Sequence, residues 1–389
     1  MKDVDKFERL YLLLCAFTFT ESIIINLFTH IGMESLSNAI SYWTLTITTV
    51  VAFFRLFSSK KNALLGALLI IILYSLVIYE RHVDAYNTVA EYSSRFLTHG
   101  LGGILIGLSV TNYERFIKYL SCFSIVYVIV FLWEPINHSL LGLDEMVTGY
   151  MLSSLLIISI LGYFTVFSKN RAVLILCIVS SLIITLFTSR GCGLSILTAW
   201  AALYLWDKKR NNFPVSKTIW RLSLLAVAFY FVFTFSLDYI LKSSVSFETG
   251  SLLEKMSSGY ANSSNGRDEI WAGALALING NWMTGIGFGG DRIAGDFVFV
   301  HNVLIEIIID FGLPIGLTLI ILYWTYLLKA IRNNINHIIS GILIALTIRT
   351  WVQLLFSSSY LDSMLVIMMI VSMSIRTVLN KNTNNEQSI

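Results

Sequence analysis

The feature that most constrains this chain is a succession of apolar runs, most of them roughly 18–22 residues long, separated by short polar joints. A helical run of that length crosses about 30 Å of hydrocarbon at about 1.5 Å per residue. Continuous runs fit helices and not an outer-membrane barrel, whose wall alternates in short segments. Hydrophobic residues make up 56% of the chain and charged residues 13%, against about 25% charged in an ordinary soluble domain. The first run is long enough to stay as a helix. It lacks the basic stretch, short apolar core and small-residue cleavage site of a removable signal.

The expectation is an all-α polytopic membrane protein forming one integral membrane domain over residues 1–389. The apolar pattern predicts about 12 transmembrane helices: 10–29, 38–56, 62–79, 96–113, 117–133, 149–167, 172–188, 191–206, 218–240, 301–329, 336–356 and 360–378. With alternating connections, the N-terminus, RLFSSKK, YERFIK, SKNR, DKKRNNFPVSK, KAIRNN and the C-terminus share one side. Of the 27 lysines and arginines, eight fall on the other side, leaving 19 on the first. The positive-inside rule makes the first side the cytoplasm, with both termini there.

The opposite side carries Arg81, Arg95, Arg190, Lys242, Lys255, Arg267, Arg292 and Arg349. It also carries the longest extramembrane segment, a large periplasmic loop at 241–300 with no run long enough to span. Long structured loops usually carry function. Cys15, Cys122 and Cys177 lie inside apolar runs and Cys192 lies just past Arg190, in no paired or metal-like spacing, so all four read as structural thiols. The acidic DVD near the N-terminus reads as a solvated tail. No metal site and no cofactor are expected, and the net charge of +3 points to no nucleic-acid partner.

Three stretches on the outer side carry the candidate chemistry. In FTSRGCGLSI, 187–196, Arg190 stands at the outer end of a tight helical hairpin. One reading is a side chain that snorkels to headgroups. The other is a cation held in place by the turn that Gly191 and Gly193 permit, favoured by the scarcity of basic residues on this face. In SSNGRDEIWAGALALINGNW, 263–282, Asn265 suits a helix cap, and Asp268 and Glu269 suit the first turn. Ile270, Trp271, Ala274, Leu275 and Ile278 recur at helical spacing, and Gly280 marks a stop. This predicts a short amphipathic helix lying on the membrane or on the bundle, with Trp271 at the interface and Arg267 in the first turn. Taken alone, Arg267 reads better as a partner of its acidic neighbours or of lipid phosphate.

The third stretch runs from TGIGFGGDR, 284–292, into FVFVHNVLIEIIIDFGLPIGLTLIILYW, 297–324. Its glycines resemble a phosphate cradle, but the strand and βαβ unit of a dinucleotide site are missing. They fit better as a loop that lets backbone approach a substrate. A helix from His301 to about Leu328 would be about 42 Å long. It must therefore start above the membrane or kink at Gly312–Pro314. His301 falls at its outer end, while His30, His82, His99, His138 and His337 read as structural. The small-residue run HGLGGILIG, 99–107, allows close helix packing within the bundle or between subunits.

An SRG turn between two spans, a long outer loop containing GR…W and then GIGFG, and HN opening a helix broken at GLPIG together resemble the superfamily of O-antigen polymerases (Wzy-type) and O-antigen ligases. The motifs cover about 185–320; the first half is similar only in hydropathy. The resemblance implies a metal-independent glycosyltransferase of the GT-C type in the bacterial inner membrane. It implies undecaprenyl-pyrophosphate-linked glycan as donor and acceptor, presented at the periplasmic face, and a chain-length regulator protein as a further partner. Arginines matching Arg190 and Arg267 would contact the donor pyrophosphate, and a histidine matching His301 would lie near the acceptor. Arg95, Gly191, Gly287, Gly289, Arg292 and Asn302 join them as substrate-binding candidates. One departure stands out: the ligase pattern separates the histidine from a glycine by nine to ten residues and places a small or aromatic residue three beyond that glycine, where this chain has Gly312 and then Ile315. The favoured reading is a polymerase joining oligosaccharide repeat units with inversion at the anomeric carbon. Alternatives are a ligase moving polymer onto lipid A-core, a capsule or exopolysaccharide polymerase, and a polysaccharide transporter or flippase, for which Glu21 inside a span is one acidic candidate.

Overall fold

Within the described residues, the expected span 10–29 falls on two helices and each of the other expected spans on one helix in the computed structural model. Described are residues 2–57, 59–78, 86–137, 145–213, 267–294, 300–356, 359–361 and 363–386. The expected span 218–240, the cap Asn265 and residues Arg81, His82, His138, Lys242 and Lys255 lie outside them. For Arg190 and Arg267 the backbone course is described and the side chain is not.

The first helices are α1 (Lys2–Thr18), α2 (Ser22–His30), α3 (Glu34–Leu56), α4 (Lys60–Ile78), α5 (Tyr86–Ser109) and α6 (Tyr113–Val130). A single turn of helix, α7 (Glu134–Asn137), precedes α8 (Glu145–Thr165), α9 (Arg171–Phe187) and α10 (Arg190–Arg210). The outer segments α11 (Arg267–Asn281) and α12 (Asp291–Ala294) lead into α13 (Val303–Asn333), α14 (Ile338–Phe356) and α15 (Met364–Glu386). Asparagines start several of them: Asn112 accepts from the Arg115 amide and Asn170 from the Ala172 amide, supplying a partner that the first helical turn lacks.

Among the described residues, five helices are long and apolar enough to cross a bilayer: α3, α4, α8, α13 and α14. A sixth arises if α1 and α2, which meet at 56°, form one broken span. Helices α9 and α15 carry shorter apolar stretches. This is a multi-pass, all-helical membrane protein. Buried Glu21 lies at the α1–α2 break, where Thr44 is its hydrogen-bonding neighbour.

The small-residue run 99–107 is used within the bundle. A Cβ on Gly103 would meet the backbone nitrogen of Met369 at 3.0 Å, and one on Gly107 the backbone oxygen of Met369 at 2.8 Å. So α5 and α15 touch backbone to backbone, as small residues allow where no hydrophobic force drives helices together. Buried Arg376 of α15 finishes the contact. Its guanidinium donates to the backbone oxygens of Leu108 and Val110 and to the Tyr113 hydroxyl. A cation there satisfies carbonyls that the end of α5 leaves open.

The two ends of the bundle differ. At one end, Glu8, Asn62, Asn112, Glu114, His337 and Asn380 line a polar cavity of about 940 Å³. These residues come from the connections expected on the cytoplasmic side, and they bring the first and last helices to the same end. At the other end, Phe96, Phe288, Phe311 and Tyr360 form an aromatic core, with Phe96 and Phe288 centroids 4.9 Å apart. The candidate chemistry lies at this second end.

Candidate active site

The local fold of the site follows from one break. Gly312 takes φ 75° and ψ 164° inside α13, just ahead of Pro314. A straight helix would separate residues 307 and 316 by about 13 Å. Here a Cβ on Gly316 would lie 3.2 Å from the Ile307 oxygen, so α13 turns back sharply at the break. Of the two courses expected for a 42 Å helix, the chain takes the kink.

The break frees backbone groups, and the glycine-rich loop meets them. The amide of Ile286 donates to the Ile309 oxygen at 2.8 Å, and that of Gly287 to the Asp310 oxygen at 3.0 Å. In return the Leu313 amide donates to the Trp282 oxygen at 2.7 Å. Gly285, at φ 66°, crosses Gly312 so closely that its Cβ would overlap the Asp310 oxygen and the Gly312 nitrogen. Only two residues without side chains and free to take positive φ can cross in this way.

A buried carboxylate organises the rest. Asp310 accepts from the Gly289 amide at 3.1 Å, the Asp291 amide at 3.3 Å and the Tyr360 hydroxyl at 2.6 Å. One turn earlier, Glu306 accepts from the Ser359 hydroxyl and from the Tyr360 amide at 3.3 Å. Glu306, Asp310 and Asp291 are each at most 1% exposed. Burial pushes the Asp291 carboxyl up to about 6, against the opposing pull of the adjacent Arg292 guanidinium. Among the described residues no group of three or more His, Cys, Asp or Glu side chains is placed to hold a metal ion.

The expected site residues fall into two groups. His301 precedes α13 with a left-handed backbone, φ 57°, and is half-buried; histidine is among the few residues enriched there. Asn302 is the N-cap of α13, its side-chain oxygen accepting from the Leu304 and Ile305 amides. Arg267 is the first residue of α11. One turn on, Trp271 donates its indole N–H to the Val300 oxygen at 3.1 Å. A small core of Ala274, Ile286, Val300 and Ile309 seals α11 and the loop to the first part of α13. Helix α11 therefore lies on the bundle, and Trp271 faces protein where an interfacial position was expected. Arg292 stacks over the Tyr92 ring at 4.3 Å, which brings α12 to the outer part of α5, where Arg95 is exposed. Gly287 and Gly289, at φ 101° and 65°, belong to the loop already described.

Arg190 and Gly191 form the second group, at the start of α10. The Tyr150 hydroxyl occupies the space a Cβ on Gly191 would need. A Cβ on Gly149 would meet the Thr188 Cβ at 2.6 Å. The SRG turn is thus pressed against α8 by glycines on both sides. Helix α10 packs on α8, α9 and α14, and α13 packs on α11, α14 and α15. Among the described residues, α14 touches both the helix that Arg190 opens and the helix that His301 precedes.

Sequence reasoning passed over Glu306, Asp310, Asp291, Ser359, Tyr360 and Tyr92. The available signal was two acids four residues apart in VLIEIIID, one face of an otherwise apolar helix.

No curated protein matches the chain. Residues 172–321, somewhat under half of the chain, match the family model described as O-antigen ligase. That segment runs from α9 through the Arg190 turn and the glycine loop to the broken first half of α13, and over it the chain is similar to that family.

Proposed function

We propose that this protein is an O-antigen polymerase. It joins undecaprenyl-pyrophosphate-linked oligosaccharide repeat units at the periplasmic face of the inner membrane, without a metal and with inversion. The observation that carries the reading is the Trp271–Val300 hydrogen bond, 3.1 Å. It ties the helix opened by Arg267 to the turn that holds His301, so a cation for the leaving group and a base for the acceptor share one rigid unit.

In this reading an acceptor sugar hydroxyl attacks the anomeric carbon of the donor. His301 takes the hydroxyl proton, its ordinary pKa lying near working pH. The new C–O bond forms as the bond to pyrophosphate breaks, and undecaprenyl pyrophosphate leaves as an anion. Arg190 and Arg267 each open a helix, where the backbone dipole also favours an anion. Guanidinium groups hold phosphate oxygens in pairs and stay charged. Arg292 and Arg95 add positive charge from the opposite wall. The glycine loop keeps side chains out of the space beside His301. A bilayer supplies both lipid substrates, and a chain-length regulator would act from outside the site.

The ligase reading is the second one, because the matched family model carries that description. Both enzymes would use the same donor and differ in acceptor. The deciding experiment expresses the gene in a host lacking its own polymerase, with Arg190→Ala, Arg267→Ala and His301→Ala beside wild type. Each loss is expected to lower activity by about 10²–10³. A polymerase leaves single repeat units on core when these residues are lost. A ligase instead leaves core bare while lipid-linked polymer accumulates. If all three variants reach the membrane and make a wild-type ladder, the mechanism is wrong.

A further inference from the structure

Helix α14 packs against the helices of both halves of the site, and it carries a cation that no described residue answers. Arg349 lies seven residues before the outer end of α14 at Phe356, about 10 Å below it. The residue is half-buried. Its Nη1 is fully buried and has no hydrogen-bond partner among the described residues. No ion pair joins it to an acid among them. Arg376, buried in the same bundle, has three acceptors. Thr347, Thr350 and Trp351 flank Arg349 in sequence on the same helix. Trp351 in turn packs at 4.9 Å on Trp324 of α13.

A guanidinium inside a span, short of a counter-charge, costs several kcal/mol. A fold retains such a group when an anion completes it. Helix α14 packs on α10, which begins at Arg190, and on α13, which is headed by His301. An anion reaching Arg349 from the outer end therefore passes between the two groups of candidate residues. Resting on the polymerase reading above, we propose that Arg349 binds a phosphate of the lipid-linked donor. It is a third cation of the pyrophosphate subsite, set deeper than Arg190, on the side where the polyprenyl chain enters the membrane.

The test uses purified full-length protein in nanodiscs and farnesyl pyrophosphate as probe, with farnesol as the uncharged control. Wild type should bind the pyrophosphate and not the alcohol. Arg349→Gln should weaken that binding about 10-fold or more, as expected for loss of a charge-assisted hydrogen bond. Arg349→Lys, which keeps the charge and loses the fork, should fall between. Without ligand, Arg349→Gln should melt at or above the wild-type temperature, since an uncompensated charge is removed. An arginine with a purely structural role would lower it.

Equal pyrophosphate binding by folded Arg349→Gln and wild type overturns the assignment while the polymerase reading stands. So does a lower ligand-free melting temperature. If Arg349→Gln does not fold, wild-type binding by Arg349→Lys also counts against it. Native mass spectrometry in phosphatidylglycerol discs separates the sources of phosphate: loss of a retained phosphatidylglycerol with pyrophosphate binding intact would make this an ordinary lipid contact and overturn the assignment. Failure of wild type itself to bind the pyrophosphate would bring down the reading on which the assignment rests.

Discussion

The Tyr360 hydroxyl donates to Asp310 at 2.6 Å, and this contact fastens the turn before the last helix to the glycine loop after α11. Asp310 holds two loop amides as well. Tyr360→Phe removes one of three donors and should cost about 1–2 kcal/mol. Asp310→Ala strands all three and should cost about 3 kcal/mol or more, with loss of the polysaccharide ladder. Thermal unfolding of the purified variants ranks them; equal melting temperatures would show that the cluster does not hold the loop.

The crossing of Gly285 and Gly312 gives a second prediction. Alanine at either position forces the same two backbones apart and sits at positive φ. Each single change should destabilise by about 2–4 kcal/mol. The double change should cost less than the sum, because the first already breaks the crossing. A double-mutant cycle on unfolding free energies checks this, and simple additivity would count against the crossing.

Trp271→Phe keeps the ring and removes the donor to Val300. The loss of one hydrogen bond should lower stability by about 1 kcal/mol. Polymer formation should fall about 10-fold, because α11 loses its register against His301. Repeat-unit consumption per unit of folded protein is the measurement. Unchanged turnover would separate α11 from the chemistry.

Asp291 gives a pH dependence. Burial raises its carboxyl to about 6 in the folded chain, above about 4 in an unfolded one. The folded state then holds the proton more tightly than the unfolded state between those values. Stability from this group is complete at the acidic end and falls as pH rises towards about 6, by on the order of 2 kcal/mol. Unfolding followed from pH 4 to 7 should show that slope in wild type and a flatter one in Asp291→Asn. An identical slope in both would assign it elsewhere.

Glu21 separates transferase from transporter. A coupling acid at a broken helix would be indispensable to transport. Glu21→Gln should leave the ladder unchanged, since Glu21 lies on the α1–α2 break and is none of the proposed catalytic residues. Loss of the ladder with accumulation of substrate on the cytoplasmic side would favour transport.

Much of this architecture is written in single-residue periodicity. Runs of Leu and Ile fix where helices form, because lipid leaves backbone groups no other partner. The Gly312–Pro314 kink is also legible, since glycine and proline act on their own neighbours. What the loop does with its glycines is not. Its amides answer Ile309 and Asp310, more than twenty residues away, and no local pattern announces such a partner. Trp271 was misplaced for a related reason: an amphipathic helix shows that it has an apolar face, not whether lipid or protein covers it. Arg349 was counted with the outer charges, but its isolation is a property of the packed bundle.

The mutual hold of loop and broken helix also orders assembly in time. Residues 285–291 leave the ribosome before Ile309, Asp310 and Gly312 exist outside it, so amides later paired with α13 have only water to bind. They can wait in water but not in lipid. In the proposed topology the glycine loop must therefore cross the membrane first and be kept in water until α13 inserts and bends back to meet it. Completion of the site is thus itself a report that this helix has been threaded the right way round.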